Sequence, residues 1–358
     1  MNKSISIFNK VSLIAAILAL CLVVLGAYVR LSDAGLGCPD WPGCYGTLTV
    51  PQSEEAIQHA QTSFPHVAIE SGKAWKEMVH RYFAGTLVLL VLSLFVLAWI
   101  NKAYTKSSPW LTSALLGVIA FQAMLGMWTV TLLLKPVVVS AHLLGGIFTL
   151  AILVWIAHRQ WGVYPSKKIS LDFNNRLMPP ASLRFFIRFS FVILFAQIFL
   201  GGWTSTNYAA LACTDFPTCH GAWVPATDYK NAFHLVRELG RTANGDLLSL
   251  QALSTIQWTH RIGALITLIY LGILSIFVLR YQVIRNMGFV LLILLLVQIS
   301  LGIANLVLYL PLVLAVAHNL GAALLMVAVV VLNSKITLSR ISSSTDNQSK
   351  ITSQTMAA

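Results

Sequence analysis

A chain of 358 residues in which 57% of positions are hydrophobic and only 10% carry charge departs from soluble globular proteins, where about a quarter of residues are charged. Apolar runs from end to end, with a mean hydropathy of +0.76, also exclude a disordered or fibrous chain. The formal net charge of +12 would suit nucleic acid, but membrane topology accounts for it better, and no nucleic-acid partner is expected.

In chain order, Lys10 and Arg30 bracket a first uncharged stretch long enough to cross ~30 Å of hydrocarbon as a helix. Similar stretches follow at 82–100, 107–134, 136–157, 189–214, 262–279 and 286–334, the last divided by Tyr309-Leu310-Pro311. The expected fold is therefore an all-α integral membrane protein with eight transmembrane helices. If the N-terminus is cytoplasmic, most of the 24 basic residues fall inside, with only Asp172 and Asp346 among the acids. The positive-inside rule thus puts both termini in the cytoplasm. The first span is not read as a removable signal peptide, because it is long and no small-residue cleavage site follows it.

That first span also has a counterpart later in the chain. LGAYVRLSDAGLGCPDWPGCYG, starting at Leu25, is echoed by LGGWTSTNYAALACTDFPTCHG, starting at Leu200. Glu77-Met-Val-His80-Arg81 matches Gln257-Trp-Thr-His260-Arg261. Gln122 to His142 matches Gln298 to His318, with Gly126/Gly302 and Gly145/Gly321 in the same alignment. The expected organisation is an N-terminal four-helix unit (1–165), a cytoplasmic linker (166–182), a C-terminal four-helix unit (183–340) and a disordered cytoplasmic tail (341–358). Four spans return the chain to its starting side, so the two four-helix bundles would be parallel repeats about an axis along the membrane normal.

His80, His142, His260 and His318 each fall near the outer end of an even-numbered span. One intramembrane histidine is often a helix-packing hydrogen bond. Four at matched places in two repeats point instead to a pair of imidazoles aimed into each bundle, which suits axial ligation of a heme iron. Zinc fits less well, since two histidines without a carboxylate at the same depth fall short of its usual ligands. The other histidines, His59, His66, His158, His220 and His234, are expected to be solvated. Arg81 and Arg261 follow the first histidine of each unit and read either as snorkelling cations or as partners of heme propionates. Glu77 lies one turn before His80, where the second unit has neutral Gln257. That inequality suggests that one site binds and relays while the other does chemistry.

Cys38/Cys44 and Cys213/Cys219 form two C-x5-C pairs in long outside loops. An oxidising compartment favours disulfides there, with a redox role for the first pair left open. Cys21, alone in the first span, is assigned to packing. Gln122, Gln298 and the aligned glycines are assigned to interhelical hydrogen bonds and close helix approach.

With GLGCPDWPGCYG at 35–46 and EMVHR at 77–81, the eight spans and the histidine on each even helix, the chain resembles the heme A synthase family over almost its whole length. The resemblance implies oxidation of the C8 methyl of heme O to a formyl group through two hydroxylations and loss of water. It implies that His260 and His318 ligate a resident heme b iron, that His80 and His142 serve the substrate heme, and that Glu77 is the catalytic acidic residue. It further implies a multi-pass protein of the bacterial cell inner membrane, in contact with lipid. The partners it implies are heme O synthase, terminal-oxidase assembly factors and an unidentified electron-transfer partner, with a homo-oligomer left open. The residues alone also fit a b-type bis-His cytochrome working with a quinone. A parallel-repeat transporter fits less well, since no span is clearly broken at its middle and none carries a charge there.

Overall fold

A computed structural model describes residues 3–102, 108–161 and 179–355, with side chains described between 6 and 337. Ten helices occupy the described residues: α1 (Lys3–Leu31), α2 (Glu54–Ser63), α3 (Ser71–Ile100), α4 (Pro109–Thr131), α5 (Pro136–Trp161), α6 (Ala181–Thr206), α7 (Tyr229–Ala232), α8 (Leu250–Leu279), α9 (Arg285–Val307) and α10 (Leu312–Thr355). All but α2 and α7 are long and apolar enough to cross a membrane, which gives the eight spans expected. The described residues contain isolated bridges but no strand. The linker at 166–178 and the side chains of the tail from 341 lie outside the described residues.

Local chemistry sets the ends of these helices. Pro109 opens α4, where its fixed φ and missing N–H do no harm. Ser53 and Ser249 cap α2 and α8 by accepting from the N–H groups of Ala56 and Ala252. The turn from α4 to α5 places Leu133 and Leu134 at positive φ, and the turn from α9 to α10 does the same with Tyr309 and Leu310. Each is closed by one backbone bond of the same kind, Leu134 N–H to Thr129 and Leu310 N–H to Asn305. Two non-glycine residues in succession are thus held in a region that L-residues avoid, at the same place in both halves.

The long outside segments are not plain loops. Helix α3 begins at Ser71 and α8 at Leu250, well ahead of the apolar runs, and the outside loops bond back to Glu77 and Gln257 on these extensions. Helix α1 packs against α3, α5 and α10, while α10 also packs against α9, α5 and α6. The seam is built from small and branched residues, including Ala15, Ala16, Ala19, Ile147, Leu150, Ala323 and Val329, which let backbones approach closely where lipid offers no hydrophobic drive. The outward faces carry residues such as Leu89 and Ile293. Cys21 is on such an exposed face, not in the packing, since its side of α1 meets no other helix.

Contacts beyond the seam join the two halves. Arg30, at the end of α1, donates to the carbonyl of Ser205 (2.9 Å) and lies 4.1 Å from the centre of the Tyr208 ring. The Tyr208 hydroxyl donates to Asp33 (2.9 Å). At the opposite end, His158 Nδ1 of α5 lies 2.8 Å from Ser334 Oγ of α10.

Candidate functional site

Each of the four matched histidines is half-buried and lies against a glycine of a neighbouring helix. A methyl group at Gly26 would stand 3.1 Å from His80 Cε1, and one at Gly126 would stand 3.3 Å from that of His142. In the second half the same holds at 3.1 Å for Gly201 with His260 and for Gly302 with His318. In each case the nearest ring atom is the Cε1 tip, so the missing glycine side chain lets the edge of the ring approach the next helix. The structure brings the rings together in pairs, His80 with His142 and His260 with His318, close enough to interact electrostatically. Buried Nδ1 atoms of His80, His142 and His318 have no hydrogen-bond partner. A buried polar atom left unpaired is uncommon. Paired imidazoles with unsatisfied nitrogens and no carboxylate between them fit axial ligands of a heme iron.

Above each pair the disulfide loop folds back onto the helix that carries the first histidine. Cys38 is bonded to Cys44 and Cys213 to Cys219. The Asp40 carboxylate accepts from the backbone N–H groups of Tyr45 (2.6 Å) and Gly46 (2.8 Å). Asp215 accepts likewise from His220 (2.7 Å) and Gly221 (2.9 Å), and also from the Thr218 hydroxyl (2.6 Å). The Thr218 and backbone hydrogen bonds hold the Asp215 carboxyl below the ordinary carboxylate range. Glu77, 5% exposed, accepts from the N–H of Cys38 at 3.0 Å and pairs with Arg81. Gln257, equally buried, accepts from the N–H of Cys213 and donates to the carbonyl of Ala210. Arg81 also donates to the carbonyls of Asp40 (2.9 Å) and Pro42 (3.2 Å). Arg261 donates to those of Asp215 (2.9 Å), Thr218 (2.8 Å) and Cys213 (2.8 Å).

The family model described as COX15-CtaA, cytochrome oxidase assembly protein, matches residues 9–330. The chain belongs to this family. A protein of Shewanella oneidensis named heme A synthase is 42% identical over 89% of this chain and 94% of its own length. Proteins of the same name from Caulobacter vibrioides (25% identical over 87% of this chain and 91% of their own) and Halalkalibacterium halodurans (24% over 73% and 78%) are more distant.

In this chain the loops above the histidine pairs engage Arg81 and Arg261. Both guanidinium groups hold loop carbonyls, and the loop covers the helix end where they sit. Among the remaining histidines, His59, His66 and His220 are exposed as expected, whereas His158 is held by Ser334 and His234, against expectation, is half-buried with its Nδ1 shielded from solvent. Cys213, Cys219 and His220 form a cluster that could offer ligand atoms to a metal, but the two sulfurs are bonded to one another and His220 Nε2 lies 2.9 Å from Ser254 Oγ. The structure brings together the histidines that share a repeat, as the sequence suggests, but three residues beside them were not singled out. Gly26 and Gly201 were inside the repeated segments, yet nothing in their spacing pointed to a histidine on another helix. Gln197 of α6 has its Nε2 3.1 Å from His260 Nδ1, and it has no polar counterpart in the first half, which hid it from a search for repeated residues.

Proposed function

We propose that the chain is a heme A synthase, an oxidoreductase that converts the C8 methyl of heme O to a formyl group. The observation that carries this reading is the 42% identity to a heme A synthase over 89% of the chain. It favours the enzyme over a quinone-linked cytochrome or a transporter. Four electrons leave the methyl carbon overall, in two hydroxylations followed by loss of water.

The two four-helix units would be parallel repeats, 1–165 and 183–340, in the bacterial inner membrane with both termini in the cytoplasm. Support comes from the matched turns, histidine–glycine contacts and disulfide loops. The first unit would take heme O between His80 and His142, and the second would hold heme b between His260 and His318. A bound heme b supplies one-electron transfer. His80 and His142 would fix the substrate ring beneath the first disulfide loop. Glu77, whose partners are Arg81 and a backbone N–H, would exchange a proton or oppose positive charge near the oxidised carbon. Arg81 would keep that carboxylate aimed, and either arginine could turn a donor toward a propionate.

Pigment extraction from the purified protein, expressed together with heme O synthase, tests the reading. Heme A or hydroxylated heme O is expected beside heme b. Heme b alone would return the chain to the cytochrome class.

A further inference from the structure

The two units differ beside their first histidine. On α6, Gln197 reaches His260, its Nε2 3.1 Å from Nδ1 and 3.2 Å from the carbonyl oxygen of the same residue. Room for this amide comes from Gly263, where a methyl group would clash with Gln197 Oε1. In the first unit the repeat places Leu22 where Gln197 stands and Phe83 where Gly263 stands. His80 Nδ1 is correspondingly buried without a partner. The polar contact and the space for it are thus present together in one unit and absent together from the other.

We propose that Gln197 is a positioning residue that locks His260 as a permanent ligand of the resident heme, and that Leu22 in its place leaves His80 able to release a heme after each turnover. The proposal rests on the reading of His260 and His318 as heme b ligands. A half-turn of the amide puts its oxygen in place of its nitrogen at Nδ1, and gives up the bond that the nitrogen makes to the His260 carbonyl. With the oxygen on Nδ1, that atom carries the proton and Nε2 keeps the lone pair that a metal needs. Gln197 Oε1 is buried and has no other partner, so it is available for this setting. A hydrogen bond to the far nitrogen fixes the tautomer and ring orientation of a ligating histidine and strengthens it as a donor. Substrate must enter and product must leave, so the exchanging site gains from lacking such a lock.

The experiment uses the intact purified protein with its heme b. Release of heme b to an excess of apo-globin and its reduction potential are measured in wild type, Gln197→Leu and Gln197→Glu. Gln197→Leu should release heme b about 10–100-fold faster. The potentials should rise in the order Gln197→Glu, wild type, Gln197→Leu, because a carboxylate is the stronger acceptor for Nδ1–H. A residue that only fills space would not order the potentials this way. If Gln197→Leu loses all its heme b, restoration by Gln197→Glu supports the proposal and failure of restoration overturns it. Wild-type release and potential in Gln197→Leu would also overturn it. Retention of heme b in His260→Ala would overturn the ligand reading itself, and the proposal with it.

Discussion

Residues 77 and 257 do one mechanical job with different chemistry. Each reaches from its helix to the N–H of the first loop cysteine and ties the disulfide loop down. Gln257 does so as a neutral amide and adds a second bond to Ala210, while Arg261 is left to loop carbonyls alone. Glu77 does so as a carboxylate that needs Arg81 beside it. Two ionised groups at this burial carry a desolvation penalty that an amide avoids. A clamp does not require the charge, since the second half manages without it. The charge at 77 is thus the difference that the proposed catalytic role would use.

The largest expected effect separates the two units through their ligands. His260→Ala or His318→Ala should abolish the heme b spectrum of the purified protein, whereas His80→Ala and His142→Ala should keep it and lose conversion of heme O. An unchanged heme b spectrum in both second-unit variants would contradict the assignment. Next comes the clamp itself. Glu77→Gln gives the first unit the residue that the second already uses, so the loop should stay in place and heme b should stay bound. Conversion of heme O should fall ~10²–10⁴-fold, read as heme A per heme b by chromatography. A wild-type ratio would reduce Glu77 to a structural clamp and erase the contrast.

A smaller effect is expected from the loops. Thiol blocking without reduction, followed by mass mapping, should find Cys38–Cys44 and Cys213–Cys219 linked and Cys21 free. Removing either bridge should lower the stability of its loop by ~2 kcal/mol on the chain-entropy estimate, seen as earlier proteolytic cleavage there. Reduction of only the first pair in freshly isolated protein would assign it a redox role. The smallest effect belongs to the reverse exchange. Gln257→Glu places a carboxylate within reach of Arg261, so heme b content and conversion should stay within about twofold of wild type. A second catalytic site created by that single change would mean that the units differ in little else.

The spans, the internal repeat and the paired histidines were legible because each leaves a periodic or repeated mark along the chain. The glycines behind the histidines were not, since Gly26 and His80 meet through the packing of α1 on α3, which spacing does not encode. The loop carbonyls held by Arg81 and Arg261 were not legible either, because an arginine beside a histidine carries no sign of a loop returning over it. Gln197 was invisible for the opposite reason. Searching for what repeats passes over the residue that matters by not repeating. Legibility failed wherever a role depended on two helices meeting, or on a difference between otherwise matching halves.

The contacts across the halves have a consequence for traffic. Arg30, Tyr208 and Asp33 rivet α1 to the end of α6 at one rim, and His158 with Ser334 rivets α5 to α10 at the other. Rocking of one half against the other, as between the two lobes of a pump, would have to break these contacts at both rims. While they hold, a large, greasy substrate would not pass through the ends of that joint. The route left to it would be the flank, between helices whose outer faces carry exposed apolar side chains such as Leu89 and Ile293, with the membrane as the corridor.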